Sequence, residues 1–538
     1  MVYPDRNLFP EEKDIPEKYH ISPIVQREYL VNGQIKQWNG PTQEVLSPIC
    51  MREGDIVYQK VIGEYPLMNK DAALECLDAA VNAYDRGRGV WPTMSVEKRI
   101  SHVETFLSNM SKTRDEVINL LMWEIGKSYN DSAKEFDRTI DYVRSTISAL
   151  KDLDRISSRP VVEEGVFGQI RRTPLGTGLC MGPFNYPLNE TFTTLIPAVI
   201  MGNPIVFKPA KYGVLLHKPL LKAYQESFPA GVINIVYGDG KEVISPIMAS
   251  GKIDVLAFIG SAKIANILEK QHPTPNRLEC IEGLSAKNPA IIFDDANLET
   301  ALAENVAGAL SYNGQRCTAH KIIFVQRGIA NQFIPQFCER VDNLKWGMPW
   351  TPGVAITPLP EAGKPEFLES LVQDAKIKGA EIANVKGDQK AYTLYSPTVL
   401  TGVKQNMRIY QEEQFGPVVP IVVFDEINET LDYIDNSEYG QQVALFGRDP
   451  KIMGPALDVL VNLVSRVNLN SQCQRGPDTF PFGGRKDSAK KVLSVNDALK
   501  VLSTRSVAGA KYTPENQQLL RDIRQARSST FLSTDWIF

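Results

Sequence analysis

Apolar residues recur along this chain with two different periods. Between residues 69 and 150 they return every three to four positions, as in Ile100, Val103 and Phe106, which is typical of amphipathic helices. From about residue 170, short continuous apolar runs alternate with helical patterns. That alternation is typical of an α/β fold with a doubly wound, mostly parallel sheet, which binds ligands at the carboxyl ends of its strands.

The apolar runs predict individual elements. An Asn32-Gly33 pair between apolar flanks predicts a hairpin, and Asn69 and Ser95 are placed to cap helices. Further helices are expected to start near Asp115 and to cover roughly 130–150, 188–200 and 298–310. Strands are expected at 178–181, 205–207, 233–236, 255–259, 278–281, 321–325, 418–424 and 498–507.

Length and charge narrow the class of protein. The chain has 538 residues, which is too long for one hydrophobic core, so two or three domains are expected. Its net charge of −4 gives no sign of a nucleic-acid or membrane surface. No apolar run approaches membrane-spanning length, and the N-terminus lacks the pattern of a signal peptide.

Cysteine usage favours a reducing compartment. The seven cysteines are scattered, no CxxC pair occurs, and the five histidines form no cluster with them. A disulfide framework and a structural zinc site are therefore not expected, and no metal is assigned. We expect a soluble cytoplasmic protein.

The stretch Asn313-Gly314-Gln315-Arg316-Cys317 is the strongest candidate for chemistry. It lies in a glycine-containing turn between a predicted helix and a predicted strand. A cysteine there is exposed at the sheet edge, and the neighbouring arginine would favour the nucleophilic thiolate. The alternative is a buried structural cysteine, which is the commoner state of an isolated cysteine.

Other predicted strand ends also carry polar side chains. Each one alone is compatible with an ordinary turn, a solvated surface or a helix cap. In chain order they are Asn185 within Gly182–Pro187, Lys208 and Lys211, Gly260 with Ser261 where a helix begins, and Glu413 with Phe415 before the strand at 418. The Asn185 amide suits a developing oxyanion, and a helix N-terminus such as that at Ser261 suits a phosphate.

Taken in order, five stretches resemble the aldehyde dehydrogenase superfamily: Gly-Pro-Phe-Asn185-Tyr-Pro, Phe-Lys208-Pro, Gly260-Ser261, Gly-Gln-Arg-Cys317 and Glu413-Gln-Phe-Gly-Pro. Their spacing covers roughly residues 60–510. Within the superfamily, the stretch Gln472 to Phe482 is similar to the non-phosphorylating glyceraldehyde-3-phosphate dehydrogenases.

The resemblance implies a three-part subunit. A Rossmann-like domain would bind the dinucleotide without the usual glycine fingerprint, an α/β domain would carry the cysteine, and a β-flap would join subunits into dimers or tetramers. The implied bounds are 1–152 and 173–283 for the NADP-binding domain, 284–480 for the catalytic domain, 153–172 and 496–510 for the flap, and 511–538 for a C-terminal extension.

The resemblance also implies a mechanism. Cys317 would attack the aldehyde carbon, and the Asn185 side chain with the Cys317 N–H would hold the oxyanion. Hydride transfer to the nicotinamide would leave a thioester for hydrolysis. Glu413 would contact the nicotinamide ribose, and Phe415 would lie beside the nicotinamide ring; a surface acid and a core aromatic are the alternatives.

The hydrolytic base departs from the family pattern. Relatives place it in Glu-Leu-Gly-Gly-Lys, four residues before the lysine, but Gly283 stands four before Lys287. If the turn holds one extra residue, Glu282 is the base, and this is the interpretation we favour. Otherwise the base is absent from its usual place. Glu279 would face the opposite side of the strand from Glu282.

Cofactor and substrate depend on cationic side chains. Lysine at 211, where NAD-preferring relatives often have glutamate, favours NADP with Lys208 nearby, although NAD use is possible. Guanidinium groups suit phosphate, which makes Arg138, Arg316 and Arg475, with Tyr186, the candidate substrate contacts. We therefore expect oxidation of glyceraldehyde 3-phosphate to 3-phosphoglycerate without inorganic phosphate.

Three other functions stay open. The protein could act on another semialdehyde, or it could transfer the acyl group to CoA, which needs no hydrolytic base. It could also be a non-catalytic, crystallin-like relative, although the presence of Cys317, Asn185 and Glu413 argues against this.

Overall fold

A computed structural model describes residues 8–533. The N-terminal segment in which no signal-peptide pattern is seen and the apolar end of the tail, 534–538, lie outside the described residues. Within 8–533, no helix combines the length and the apolar character needed to cross a membrane.

The described residues form an α/β fold. Its strands are β1 Ile24–Val25, β2 Glu28–Val31, β3 Gln34–Gln37, β4 Thr42–Glu53, β5 Ile56–Pro66, β6 Val161–Glu163, β7 Val166–Pro174, β8 Gly178–Met181, β9 Ile205–Lys208, β10 Ile233–Ile235, β11 Val255–Ile259, β12 Glu279–Gly283, β13 Pro289–Ile292, β14 Ile322–Gln326, β15 Glu381–Ile382, β16 Lys390–Ala391, β17 Leu394–Tyr395, β18 Thr398–Thr401, β19 Val418–Phe424, β20 Tyr439–Gly440, β21 Gln442–Phe446, β22 Arg466–Leu469, β23 Arg485–Lys486, β24 Ala489–Lys490 and β25 Ser503–Lys511.

The α-helices connect these strands and cover the sheets. They are α1 Lys70–Tyr84, α2 Val90–Thr93, α3 Val96–Ser111, α4 Arg114–Ile125, α5 Tyr129–Ser157, α6 Asn189–Ile200, α7 Leu221–Ser227, α8 Gly240–Ala249, α9 Ala262–Gln271, α10 Leu298–Leu310, α11 Arg327–Asp342, α12 Lys364–Ile377, α13 Arg408–Gln411, α14 Ile427–Asn436, α15 Pro450–Leu463, α16 Val495–Val501 and α17 Pro514–Gln525.

A six-stranded sheet contains the first series of predicted strands. Its order is β10-β9-β8-β11-β12-β24, and every neighbouring pair is parallel except β12 and β24. The strands predicted at 178–181 and 255–259 are confirmed at both ends. Those at 205–207 and 233–236 differ by one residue at one end, and that at 278–281 differs by one residue at its start and two at its end. The loops that follow the parallel strands meet at one edge.

A seven-stranded sheet contains the second series, in the order β15-β18-β19-β14-β13-β21-β22. The prediction for 418–424 is confirmed, and that for 321–325 is displaced by one residue. The helix predicted at 298–310 is confirmed and connects β13 to β14. Helices cover both faces of such sheets, which explains why the strands are continuous apolar runs in the sequence.

The predicted local signals of the N-terminal part are also confirmed. Strands β2 and β3 pair across Asn32 and Gly33, which both have positive φ angles. The Asn69 side chain accepts a hydrogen bond from the Ala72 N–H, and Ser95 accepts one from the Lys98 N–H, so each caps the helix that follows.

One predicted strand is wrong in its first half. Residues 495–501 form helix α16, and the strand begins only at Ser503. Val495, Ala498, Leu499 and Leu502 are all buried, and their spacing of three, four and seven residues places them on one helical face. Strand β25 then pairs with β7 over its whole length, in a three-stranded sheet with β6.

The C-terminal extension folds back on this small sheet. Helix α17 has no buried residue, and the Arg524 side chain donates to Gln169 of β7. The Arg171 guanidinium donates to the carbonyl oxygens of Thr530 and Phe531, both at 3.0 Å, and forms an ion pair with Asp154 of α5. The part of the tail that is described is therefore packed against the three-stranded sheet.

Candidate active site

The turn that carries Cys317 is held in an uncommon backbone conformation. Tyr312, Asn313 and Gly314 have φ angles of +51°, +57° and +69°, which reverse the chain after α10. The Asn313 amide donates to the Thr357 carbonyl at 3.1 Å, and the Thr357 N–H donates back to the Asn313 side chain at 2.9 Å. Asparagine suits position 313 because it tolerates the left-handed region and its side chain can hydrogen-bond to the backbone.

Cys317 lies between two cavities. The first, of about 540 Å³, is bounded by the loops that follow β8, β9, β11 and β12. The second, of about 390 Å³, lies between α5, the start of α6 and the segment 472–476. Cys317 lines both cavities, so its sulfur can meet two different molecules from two sides.

The first cavity has the features of a dinucleotide cleft. It lies at the carboxyl ends of parallel strands, and Ser261 caps α9 by accepting from the Ile264 N–H at 3.4 Å. Lys211, which is exposed, and Gly260, which is half-buried, line its wall. Lys208 ends β9 and donates to the Pro209 carbonyl at 3.2 Å; burial lowers its pKa to about 8.

Glu413 and Phe415 lie in the same cavity wall. The Glu413 carboxylate forms a 2.5 Å ion pair with Lys321, whose side chain is 1% exposed. The Lys287 ammonium donates to the Gln414 side chain at 2.7 Å, which fixes the turn. Phe415 has a φ of +43° and faces the Lys321 ammonium at 4.8 Å. A buried ion pair and a second lysine thus fix the carboxylate where a ribose hydroxyl could bind.

The second cavity brings the three predicted arginines and Tyr186 together. Arg138 binds Asp478 through two bonds of 3.0 and 2.6 Å, and its side chain remains 31% exposed. Arg475 is 5% exposed and forms an ion pair with Glu190. Carboxylates therefore already partner two of the three guanidinium groups.

Arg316 differs from its predicted role beside the sulfur. Its Nη2 donates to the carbonyl oxygens of Ala307 and Gly308 near the end of α10, at 3.1 and 2.8 Å. Burial raises the pKa of the Cys317 thiol, and the Lys321 ammonium opposes that shift more strongly than Arg316 does. Burial therefore disfavours the thiolate before a ligand binds, and Lys321 is the cation that most opposes this effect.

Asn185 is positioned by a buried network. Its side-chain nitrogen donates to the Gln315 carbonyl at 2.8 Å, two residues before the sulfur. Its own carbonyl accepts from the Lys127 ammonium at 2.7 Å, and Lys127 forms a fully buried ion pair with Glu135. Glu135 also accepts from the Asn189 N–H at 3.1 Å, which ties the start of α6 to α5. The amide is thereby held next to the nucleophile loop.

Glu282, which the sequence favours as hydrolytic base, is placed elsewhere. Adjacent residues of a strand face opposite sides, so Glu282 shares the side of Cys280, and its carboxylate lies with Glu269 of α9. Gly283 is the residue that lines the first cavity with Cys317. The favoured assignment is therefore corrected: no extra residue in the turn brings Glu282 to the sulfur.

His320 offers no replacement base. The Cys473 N–H donates to its Nε2 at 3.0 Å, so the ring proton lies on Nδ1, 2.9 Å from the Asn305 side-chain oxygen. Burial lowers the pKa of His320 to about 3. The ring is neutral and both nitrogens are engaged.

Two polar residues of the site are missing from the sequence prediction. Glu190 lines both cavities, and Gln441 lines the first. Glu190 is the only charged residue of helix 189–200, and an acid in a run without other charges was an available signal. Gln441 follows β20 and carries no local signal, because only the folding of distant segments brings it to Cys317.

Residues 52–506 match the model of the aldehyde dehydrogenase family. The NADP-dependent glyceraldehyde-3-phosphate dehydrogenase of Streptococcus equinus is 30% identical over 452 residues, which cover 82% of this chain and 92% of that protein. The malonate-semialdehyde dehydrogenase of Bacillus cytotoxicus is 28% identical over 443 residues, which cover 81% and 89%. The crystal structure of the NADP-dependent glyceraldehyde-3-phosphate dehydrogenase of Bacillus halodurans C-125 complexed with NADP has a TM-score of 0.82 at 27% identity, covering 91% of this chain and 100% of that one.

Proposed function

Because the chain belongs to the aldehyde dehydrogenase family, we propose that it oxidises a short phosphorylated aldehyde, glyceraldehyde 3-phosphate, with NADP. It is an NAD(P)-dependent aldehyde oxidoreductase. The position of Cys317 between a dinucleotide cleft and an arginine-containing cavity carries the proposal. Lys211 in the sequence and the relative that was crystallised with NADP both favour NADP as the cofactor.

The first step follows from the side chains around the sulfur. The Cys317 thiolate attacks the aldehyde carbon; a carbon–sulfur bond forms and the carbonyl electron pair moves to oxygen. The Asn185 amide and the Cys317 N–H hold that oxyanion, each donor contributing roughly 3–4 kcal/mol. When bound, the dinucleotide supplies a nicotinamide that accepts hydride from the substrate carbon. The acyl group then remains on sulfur as a thioester.

The choice of cofactor depends on Lys211. Its ammonium is exposed at the cleft, where it can meet a 2′-phosphate. Reversing the charge with Lys211→Glu should reduce the preference for NADP over NAD, measured as the ratio of kcat/KM values, by about tenfold to a hundredfold, since an exposed charge contributes about 1 kcal/mol in each sign. Lys222→Glu, a surface lysine paired with Glu226, controls for the change in net charge. An equal loss of kcat/KM with NADP and with NAD would contradict a contact between Lys211 and the 2′-phosphate.

The proposed substrate depends on a cation that is still free to bind it. Arg475 is nearly fully buried against Glu190, so its loss would disturb the site for every aldehyde. Arg138 keeps part of its guanidinium exposed to the second cavity. Its two bonds to Asp478 use Nε and Nη2, and Arg316, which binds backbone carbonyls, lines the same cavity. We therefore assign the phosphate to the exposed part of Arg138, with Arg316 as the second cation.

Arg138→Ala should raise KM for glyceraldehyde 3-phosphate by about tenfold to a hundredfold, because a hydrogen bond between charged groups contributes roughly 1.5–3 kcal/mol. KM for glyceraldehyde should change less than about twofold, because this aldehyde has no phosphate for Arg138 to bind. Arg114→Ala is the matched control: Arg114 of α4 binds Asp137 of α5, the helix that carries Arg138, through two 2.8 Å bonds outside the cavity. Equal effects of Arg138→Ala on both aldehydes would contradict a phosphorylated substrate.

The fate of the thioester gives a second candidate activity. Gly283 lines the cavity beside Cys317 at the position where relatives have their base, and Glu282 lies with Glu269 and Cys280. Glu190 and Glu413, which share that cavity, are held in ion pairs with Arg475 and Lys321. His320 is engaged on both nitrogens. A thiol acceptor such as CoA can take the acyl group without a hydrolytic base, because a thiolate is itself the nucleophile. This arrangement favours acyl transfer to an added thiol over rapid hydrolysis.

The sheet of β6, β7 and β25 supports assembly into dimers or tetramers. Its edge strand β6 exposes Val161 and Val162, and β7 exposes Val166. An exposed apolar edge of this kind is normally covered by another strand. The flap at 153–172 and 496–510 is therefore proposed as the contact between subunits, with the sheet itself beginning at Val161 and Ser503.

A further inference from the structure

We propose that Glu269, Cys280 and Glu282 form a binding site for a divalent, thiophilic cation of the zinc class. One oxygen of each carboxylate and the Cys280 sulfur lie within 4.8 Å of one another. Cys280 and Glu282 project from the same side of β12, and Glu269 approaches them from α9. This cluster is separate from the two cavities that meet at Cys317, and the proposal does not depend on the substrate.

The Glu282 carboxylate points to a missing partner. The residue is 1% exposed, and neither of its oxygens has a hydrogen-bond donor. A buried carboxylate without a partner is strongly unfavourable, so such a group either takes up a proton or binds a cation. The neighbouring Glu269 carboxylate adds a second negative charge at the same place. The buried, unpaired oxygens of Glu282 are therefore open to a cation.

The cluster already attracts one cation at its rim. The Lys490 ammonium forms an ion pair with Glu269, and Lys490 stands opposite Glu282 in the register of β12 and β24. Its side chain is 49% exposed, so it can move to solvent. A neighbouring cavity of about 390 Å³, lined in part by Glu269, Cys280 and Lys490, provides access to the cluster from outside.

The ligand set selects the kind of metal. Sulfur with two carboxylate oxygens suits zinc better than magnesium or calcium, which prefer oxygen alone. Three protein ligands and an open fourth position for water are a common arrangement around zinc. With metal–ligand bonds of about 2.0–2.3 Å, ligand atoms lie roughly 3.5 Å apart, so the three side chains would close by about 1 Å. Burial raises the pKa of the Cys280 thiol to about 12, and binding would displace its proton.

The two elements that hold the ligands also border the cofactor cleft. Helix α9 begins beside Ser261, and β12 ends at Gly283, both in the wall of the first cavity. A cation joining Glu269 to Cys280 and Glu282 would fix the distance between these two walls. No spacing in the sequence indicates such a site, because its ligands come from a helix and a strand that only the fold brings together.

The test uses the full chain with Cys317→Ser, which removes the other accessible thiol that would bind zinc. After loading with Zn²⁺ and removal of free metal, mass spectrometry should find one zinc per chain. Adding Glu282→Gln or Cys280→Ser should weaken binding by at least about a hundredfold. Adding Lys490→Met should tighten it by about tenfold, because a competing positive charge is removed. Glu75→Gln, an exposed carboxylate paired with Lys36 far from this cavity, is the matched control and should change nothing.

Cobalt provides a second measurement that does not depend on activity. Co²⁺ should give a thiolate-to-metal charge-transfer band that is absent from the Cys280→Ser variant. Zinc content well below one per chain, a band that persists without the Cys280 thiol, or binding unaffected by Glu282→Gln in a folded variant would each overturn the proposal. If Cys280→Ser fails to fold, the isosteric Glu282→Gln variant still tests the site.

Discussion

Cys317→Ser should lower the rate of NADP reduction by about 10⁴-fold or more, since removing the nucleophile of a covalent mechanism abolishes its intermediate. A hydroxyl is far less acidic than a thiol, and the Glu190 and Glu413 carboxylates that share a cavity with Cys317 are held in ion pairs with Arg475 and Lys321. The nearest histidine in sequence, His320, has both ring nitrogens engaged. The Lys321 ammonium favours a thiolate but cannot ionise an alcohol at neutral pH.

The measurement is the initial rate of absorbance increase from reduced nicotinamide, with cofactor binding followed separately by fluorescence. Cofactor affinity should be kept, because the Cys317 sulfur lies at the inner end of the cleft and Lys211 and Ser261 are unchanged. Cys338→Ser, in the core beside the seven-stranded sheet, is the control for a cysteine outside both cavities. Turnover that survives Cys317→Ser would refute thioester catalysis by this residue.

Gly283→Glu should accelerate release of the acyl group by about a hundredfold or more, within the range that a positioned general base contributes. In the unmodified protein without an added thiol, we expect a burst of about one reduced cofactor per active site, followed by a slow phase, since a stable acyl-enzyme accumulates. The new carboxylate would activate water against the thioester and remove the slow phase. The change would thus convert a thiol-dependent enzyme into a hydrolase.

The backbone at 283 accepts this substitution. Its φ is not in the left-handed region, and an added Cβ would meet Ile259 side-chain atoms at 3.5 and 3.6 Å, an ordinary contact distance. Gly283→Gln is the matched control, because it has the same size without a base, and it should leave the slow phase unchanged. Stopped-flow absorbance resolves the two phases.

Two results would contradict this account of deacylation. One is rapid steady turnover to the free acid in thiol-free buffer by the unmodified protein. The other is a slow phase that Glu282→Gln slows further while Gly283→Glu leaves it unchanged, which would return the base to Glu282. Acyl transfer would be supported if CoA stimulated turnover of the unmodified protein. In Gly283→Glu, hydrolysis should replace this stimulation.

Local sequence signals predicted most of the fold. Strands 178–181, 255–259 and 418–424 and helix 298–310 match the structure at both ends. These elements are strongly periodic or continuously apolar, so the side chains themselves encode the period. Residues 498–502 were misassigned to a strand because a short apolar segment fits a helix as well as a strand, and packing on α5 and α6 decides between them.

The candidate site divides in the same way. Sequence alone determined that Asn185, Lys211 and Ser261 follow strands, and the parallel topology then places them at one edge of the sheet. Cys317 and Glu413 instead precede strands, and the fold brings them to the same cavity. Tertiary structure alone decided which side chains are free. Arg475 and Arg138 are paired with acids, Gln441 and Glu190 join the site, and Gly283 rather than Glu282 lines the cavity with Cys317. The physical reason is that a strand's alternation fixes only that neighbours face opposite sides; packing against other elements decides which side is the active site.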